Sequence, residues 1–128
     1  MRVVVLGGGY AGVVVTKRLS NSLPADVDVV VVDEDGQHLV QHELHRVIRR
    51  PSFADDIEVP LSEIFDRARV EVATVESIDR ERRRVEFAGG STLDYDVAAV
   101  CLGAETAFYG LPGVEAHAVP LKRLPDAA

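Results

Sequence analysis

Apolar residues enter this chain in short unbroken runs, and the first two runs have nearly the same composition. Residues 3–6 read Val-Val-Val-Leu and residues 29–32 are all valine, with Val27 just before them. Runs of that length and β-branched content suit strands buried on both faces. Between them Ala11, Val14, Val15 and Leu19 recur at helical spacing, with Lys17 and Arg18 on the other side, which predicts a helix of about three turns. Helical periodicity returns at about 39–49 and, briefly, near 62–68. The pattern then changes to strands: a run at 70–78, a charged turn at 79–83, a run at 84–88, a Gly89-Gly90 turn, a short run at 92–93 and an apolar stretch at 97–102. Together these elements predict an α/β fold, with a parallel sheet from strands near 2–6, 28–32, 70–73 and 97–102 and a β-meander on one side of it.

The junction between the first strand and the first helix carries the first chemical signal. Gly7, Gly9 and Gly12 stand at the spacing G-x-G-x-x-G, where a dinucleotide-binding βαβ unit turns from strand to helix. At that spacing Gly7 permits the tight turn and Gly9 lets a pyrophosphate approach the backbone without meeting a Cβ. Gly12 lets the helix pack close against the strand. The helix then turns unpaired N–H groups and its positive end to the phosphates. Glycine turns also serve packing alone, so the second strand decides between the two uses. It ends at Asp33, 21 residues after Gly12, near the ~20-residue offset at which an acid receives a ribose hydroxyl. A plain NAD domain would continue from its third strand into another helix and another parallel strand. A meander in that place favours a flavin domain, whose return strand brings Gly103 back toward the cofactor.

Composition narrows the rest. A chain of 128 residues with 47% hydrophobic content is the size of one domain. It has no run of about 18 apolar residues, and its first strand starts at residue 2. We therefore expect neither a transmembrane helix nor a signal peptide, and a soluble, cytoplasmic chain. Cys101 is the single cysteine, which excludes an internal disulfide or a C-x-x-C pair. At the end of a buried run it reads as a small apolar residue rather than a reactive thiol. The net charge of −7 argues against nucleic acid as a partner, and the basic clusters Arg49-Arg50 and Arg82-Arg83-Arg84 read as solvated faces. Lys17 and Lys122 are the only lysines against 21 acids, a balance that suggests a salt-adapted, halophilic host, with a GC-rich genome that replaces Lys by Arg as the alternative.

Five stretches, VVVLGGGYAG, VVVDEDGQHLVQHEL, DIEVPLSEIF, LDYDVAAVCLGAET and FYGLPGVEAHAVPLKRLPDA, together resemble the amino-terminal part of FAD-dependent pyridine nucleotide oxidoreductases. The subgroup they resemble is that of type II NADH dehydrogenases and sulfide:quinone oxidoreductases. The resemblance implies a Rossmann-like FAD/NAD(P)-binding domain, incomplete over residues 1–128. It implies FAD as cofactor, NADH as hydride donor and a quinone or other electron acceptor. By the same resemblance Gly7, Gly9, Tyr10, Ala11 and Gly12 match the FAD pyrophosphate turn, and Asp33 with Glu34 matches the acid at the adenosine ribose. Val75 falls where a meander strand meets the adenine through its backbone. Leu102 and Gly103 take the place of the turn after the last strand, where backbone approaches the cofactor. His38 and Gln41 match kept positions of the family's H-L-F-Q-P-L-L segment. His42 and Glu43 depart from it, at positions that would border the flavin and the quinone path. No residue matches an acid, base or nucleophile, so the catalytic set is empty.

His38, His42 and His45 are spaced i, i+4, i+7, and three imidazoles on one helix face can bind zinc, with Glu43 as a base. The order H-E-x-H differs from the H-E-x-x-H of metalloproteases and His38 precedes the helix, so no metal site is expected. Only one G-x-G-x-x-G is present, while Gly110 and Gly113 flank Pro112 in a turn. The NADH-binding domain and the family's third flavin segment are therefore expected to be missing. The chain reads as a fragment of a longer reductase, or a truncated reading frame, whose parent is peripheral on the inner face of the membrane. With a sheet edge left open, the isolated chain is expected to form homo-oligomers. Two competing readings are a free-standing module that binds FAD, NAD or ADP without turnover, and a NAD-dependent dehydrogenase domain.

Overall fold

The computed structural model describes residues 1–127. Its strands are β1 (Arg2–Leu6), β2 (Asp28–Asp33), β3 (Gln37–Leu39), β4 (Glu58–Pro60), β5 (Arg69–Val72), β6 (Val75–Asp79), β7 (Arg84–Phe87), β8 (Thr92–Asp94) and β9 (Val97–Val100). Its helices are α1 (Tyr10–Ser22), α2 (Leu44–Arg49), α3 (Ala54–Ile57), α4 (Leu61–Ile64), α5 (Val114–His117) and α6 (Leu124–Ala127). The backbone gathers into two compact units: Met1–His38 with Pro60–Gly103, and Leu39–Val59 with the chain from Ala104 onward.

In the first unit the two valine runs pair in parallel from Arg2↔Asp28 to Leu6↔Val32. β9 adds to β1 and β5 to β2, both also parallel, giving the sheet order β5-β2-β1-β9. This is the order of the first half of a doubly wound fold. The antiparallel meander β6-β7-β8 occupies the connection from β5 to β9, where a crossover helix would otherwise run. Strand alternation sends successive valines to opposite faces, and both faces are covered. Val4, Leu6, Val30 and Val32 pack with Val85 and Phe87 of the meander. Val5 and Val31 pack with Leu61 and Phe65, and with Val13, Val15 and Leu19 of α1. Burial on both sides is the reason these strands read as continuous apolar runs.

Several expected elements take a different form. The apolar run at 70–78 is two strands, because the chain leaves the parallel sheet after Val72: Ala73 N–H donates to the Asp33 carbonyl (3.0 Å), and Ala88 N–H donates to the Thr74 carbonyl (2.9 Å) to open the meander. The last strand stops at Val100, although Cys101 N–H still reaches the Leu6 carbonyl (2.7 Å). Leu39, expected to begin a helix, lies in β3, and helix starts only at Leu44 after a 3-10 turn at Gln41–Glu43. The second short helix covers only Leu61–Ile64. On α1 the buried positions are Gly12, Thr16 and Ser20, while Ala11 is exposed and Val14 is 52% exposed. Small residues line the contact because the helix lies so close to β1 that larger ones do not fit there.

The second unit has its own small cluster, with Leu44, Val47, Ile57 and Ala127 buried. β3 and β4 pair as a two-stranded sheet.

Two measurements test this account. A Cβ at Gly12 would overlap the Gly7 carbonyl oxygen, so Gly12→Ala must push α1 off the sheet; urea unfolding is expected to show a loss of at least about 2 kcal/mol. In the meander, Arg84 and Asp94 are opposite each other across β7 and β8, with Nε–Oδ1 at 2.6 Å. The hydrogen bond from Arg84 holds the Asp94 carboxyl below its usual range. Its folded pKa being depressed, its contribution is full above the unfolded carboxylate value of about 3.9 and fades as pH falls through the folded value. Asp94→Asn should therefore lower stability at neutral pH and show a shallower loss below about pH 4.

Candidate functional site

The site is built where β1 hands over to α1. Gly7 N–H extends the ladder to the Val32 carbonyl (2.7 Å), and Gly7 then turns with φ +106°, a conformation that side chains disfavour. A Cβ there would strike the Cys101 carbonyl, and one at Gly12 the Gly7 carbonyl. One at Gly8 would come within 2.5 Å of Leu61 Cδ1 and 3.0 Å of Asp33 Oδ2. Gly9 differs from all three. It caps α1 with φ −70°, no side chain caps the helix, and a Cβ on it would meet nothing within 4 Å.

Two side chains hold this turn. Asp33, at the end of β2, accepts the Gly8 N–H on Oδ2 (2.8 Å), and its Oδ1 accepts the N–H groups of Asp35 (3.1 Å) and Gly36 (3.0 Å). His38 Nδ1 lies 2.9 Å from the Gly8 carbonyl; a carbonyl only accepts, so Nδ1 carries the proton. The edge of one ring meets the face of the other between His38 and Tyr10, with centroids 5.0 Å apart and planes at 86°. The first-turn N–H groups of α1 have no acceptor within the helix. With no capping side chain they form, with the open space beside Gly9, a cradle suited to an anion.

The structure thus brings together Gly7, Gly9, Gly12, Asp33, Tyr10 and His38. Ala11 and Glu34 stand exposed beside them in the chain. Leu102 and Gly103 follow β9, both exposed, and Gly103 has φ +77° with open space where a Cβ would be. Val75 opens β6 and packs against the sheet face under the meander. Gln41 belongs to the second unit, where its Nε2 donates to the Lys122 carbonyl (3.2 Å). Sequence reasoning passed over Gly8 and Leu61, whose mutual fit closes the turn from below. The three consecutive glycines were the available signal, since the middle one is not required by G-x-G-x-x-G.

The three histidines do not share a helix face. His38 lies in β3, His42 in the 3-10 turn and His45 in α2, its Nδ1 3.0 Å from the His42 carbonyl. Among the described residues no group of His, Cys, Asp and Glu is placed to hold a metal ion. Glu43, weighed as a base, is bonded to Arg46 (2.8 Å), which holds its carboxyl below the usual range. A cleft of about 580 Å³ in the second unit is lined by His45, Arg46, Arg49, Arg50 and Phe53. Its cations are solvent-facing, and Arg46 lies over the Phe53 ring at 4.2 Å. Cys101 is half-buried against the α1 side of the sheet. No helix among the described residues is long and apolar enough to cross a membrane.

Comparison with known proteins gives this geometry a family. Type II NADH:quinone oxidoreductase of Staphylococcus haemolyticus (strain JCSC1435) is 30% identical over 129 residues, covering 98% of this chain and 32% of its own length. The NADH dehydrogenase-like protein YutJ of Bacillus subtilis (strain 168) is 30% identical over 113 residues, covering 88% of this chain and 32% of its own. The chain thus spans about a third of the length of these curated relatives. Among solved structures, the sulfide:quinone oxidoreductase from the hyperthermophilic bacterium Aquifex aeolicus superposes with a TM-score of 0.86 at 23% identity, over 98% of this chain and 29% of that one. A NAD-dependent persulfide reductase from A. fulgidus does so with a TM-score of 0.82 at 24% identity, over 99% of this chain and 26% of that one. Identities that low speak for the fold, and they agree with the Rossmann-like sheet described above. The match to the family described as pyridine nucleotide-disulphide oxidoreductase runs through residues 1–128 and leaves no element of the fold outside it, so the chain belongs to that family.

Proposed function

We propose that the chain binds the adenosine diphosphate half of FAD at its glycine turn and serves as the flavin-binding part of an NADH-oxidising reductase. The observation that carries this reading is the contrast between Gly9 and its neighbours. Protein atoms fill the Cβ space of Gly7, Gly8 and Gly12, while that of Gly9 is open at the capless start of a helix. A diphosphate fits that position by charge and by shape. Asp33 Oδ2 carries one N–H donor, and a carboxylate oxygen has two lone pairs, so it retains capacity for a ribose hydroxyl beside the exposed Glu34. When bound, the flavin supplies hydride acceptance and onward electron transfer. This chain's residues bind and orient it. In the whole protein NADH supplies the hydride and a quinone or another acceptor takes the electrons, in keeping with the names of the relatives.

Gly9→Val tests the reading directly. Its backbone angles admit a side chain and the space is empty of protein, so stability should change by no more than about 1 kcal/mol. Affinity for ADP and for FAD should fall by more than about tenfold, or about 1.4 kcal/mol, in calorimetric titration. A variant that binds ADP like the parent would remove the phosphate from this position. Asp33→Ala is expected to act differently, lowering both stability and ADP affinity by about 1–3 kcal/mol, because its carboxylate serves three backbone N–H groups as well as the ligand. Loss of affinity without loss of stability would show that the bracket on the turn contributes nothing.

A further inference from the structure

His38 bonds to the turn through its Nδ1, and the placement of that bond has a consequence for the phosphate site. The Gly8 carbonyl and the Gly9 N–H belong to one peptide unit. No peptide bond among the described residues is cis, and in a trans planar unit the C=O and N–H point in opposite directions. With the Gly8 carbonyl turned to His38 Nδ1 at 2.9 Å, the Gly9 N–H is turned away from His38. That N–H has no acceptor among the described residues. The preceding peptide is held in the same manner from the other side: Asp33 Oδ2 takes the Gly8 N–H at 2.8 Å, which directs the Gly7 carbonyl to the Cβ-less face of Gly12. The ring of Tyr10, first residue of α1, meets the His38 ring edge-on at 5.0 Å and limits its rotation.

We infer that His38 is a positioning residue for the phosphate site, a donor that locks the Gly8-Gly9 peptide so that the Gly9 N–H, and not the Gly8 carbonyl, faces the diphosphate. The inference rests on the nucleotide reading above and adds a role that contact between His38 and the cofactor would not predict. Glycines leave this peptide little intrinsic preference. Without the His38 donor it is free to flip, and a carbonyl oxygen would then oppose the phosphate charge. An Asn side chain can restore an N–H donor close to the Nδ1 position; a Leu side chain fills space and donates nothing.

The test is calorimetric titration of the 128-residue chain with ADP, in the parent, His38→Leu and His38→Asn, alongside their thermal midpoints without ligand. His38→Leu should weaken ADP about tenfold, and His38→Asn should recover most of the loss. Equal affinity for parent and His38→Leu overturns the inference, as does equal weakening in both variants. In case His38→Leu fails to fold, the parent alone decides by amide NMR: on ADP addition the Gly9 N–H resonance should move downfield as it gains an acceptor. A Gly9 resonance that stays in place while other first-turn amides shift overturns the inference and leaves the nucleotide reading standing. A parent that binds neither ADP nor FAD overturns that reading, and this one with it.

Discussion

The distance between α1 and β1 is the constraint on which the rest of the molecule depends. Gly12 sits against the Gly7 carbonyl with no room for a Cβ, and this contact sets the helix on the sheet. It fixes where the helix begins, and so where its unpaired N–H groups emerge. It also dictates which side chains line the interface: Thr16 and Ser20, one and two turns after Gly12, are buried although polar. Their hydroxyls have no hydrogen-bond partner among the described residues, a cost of about 1–3 kcal/mol each. Larger apolar residues would avoid that cost but would lift the helix away from the strand and open the turn.

The glycine turn is accordingly shaped from three directions. The return of β9 stands behind it at Cys101, Leu61 presses on it from α4, and Asp33 and His38 hold its peptides by hydrogen bonds. These contacts come from four stretches of chain, at β2, β3, α4 and the end of β9. Opposite the helices, the meander seals the face with Val85 and Phe87. A meander shields that face as a crossover helix would.

Much of this was legible in the residues, for identifiable reasons. Unbroken valine runs are what a doubly covered parallel strand requires, so β1 and β2 were plain, as was the turn whose glycines obey a fixed spacing. The parts that were not legible depend on partners distant in sequence. Val14 and Ala11 looked like core on hydrophobicity alone, yet the close approach at Gly12 selects Thr16 and Ser20 instead. The run at 70–78 contains no turn residue to mark its division; the division arises because β2 ends at Asp33 and offers β5 no further partner. Asp33 was read as a ligand group from its offset to Gly12, and only the fold reveals that it also brackets the turn. β3 and β4 are too short for any pattern, and they exist because each supplies the other's edge.

The valine-rich sheet carries one more implication, for how the chain finds its alignment during folding. A one-residue slip of a strand exchanges its two faces, and here such a slip of β2 would exchange Val30 and Val32 for Val29 and Val31, the same side chain on either face. The core therefore barely distinguishes correct from shifted pairing. Discrimination falls to the strand ends, where Arg2 meets Asp28 at 2.7 Å and Gly8 meets Asp33 at 2.8 Å. The carboxylate that frames the nucleotide cradle is thus also an alignment mark for the sheet, and specificity of fold and specificity of site reside in the same few polar atoms.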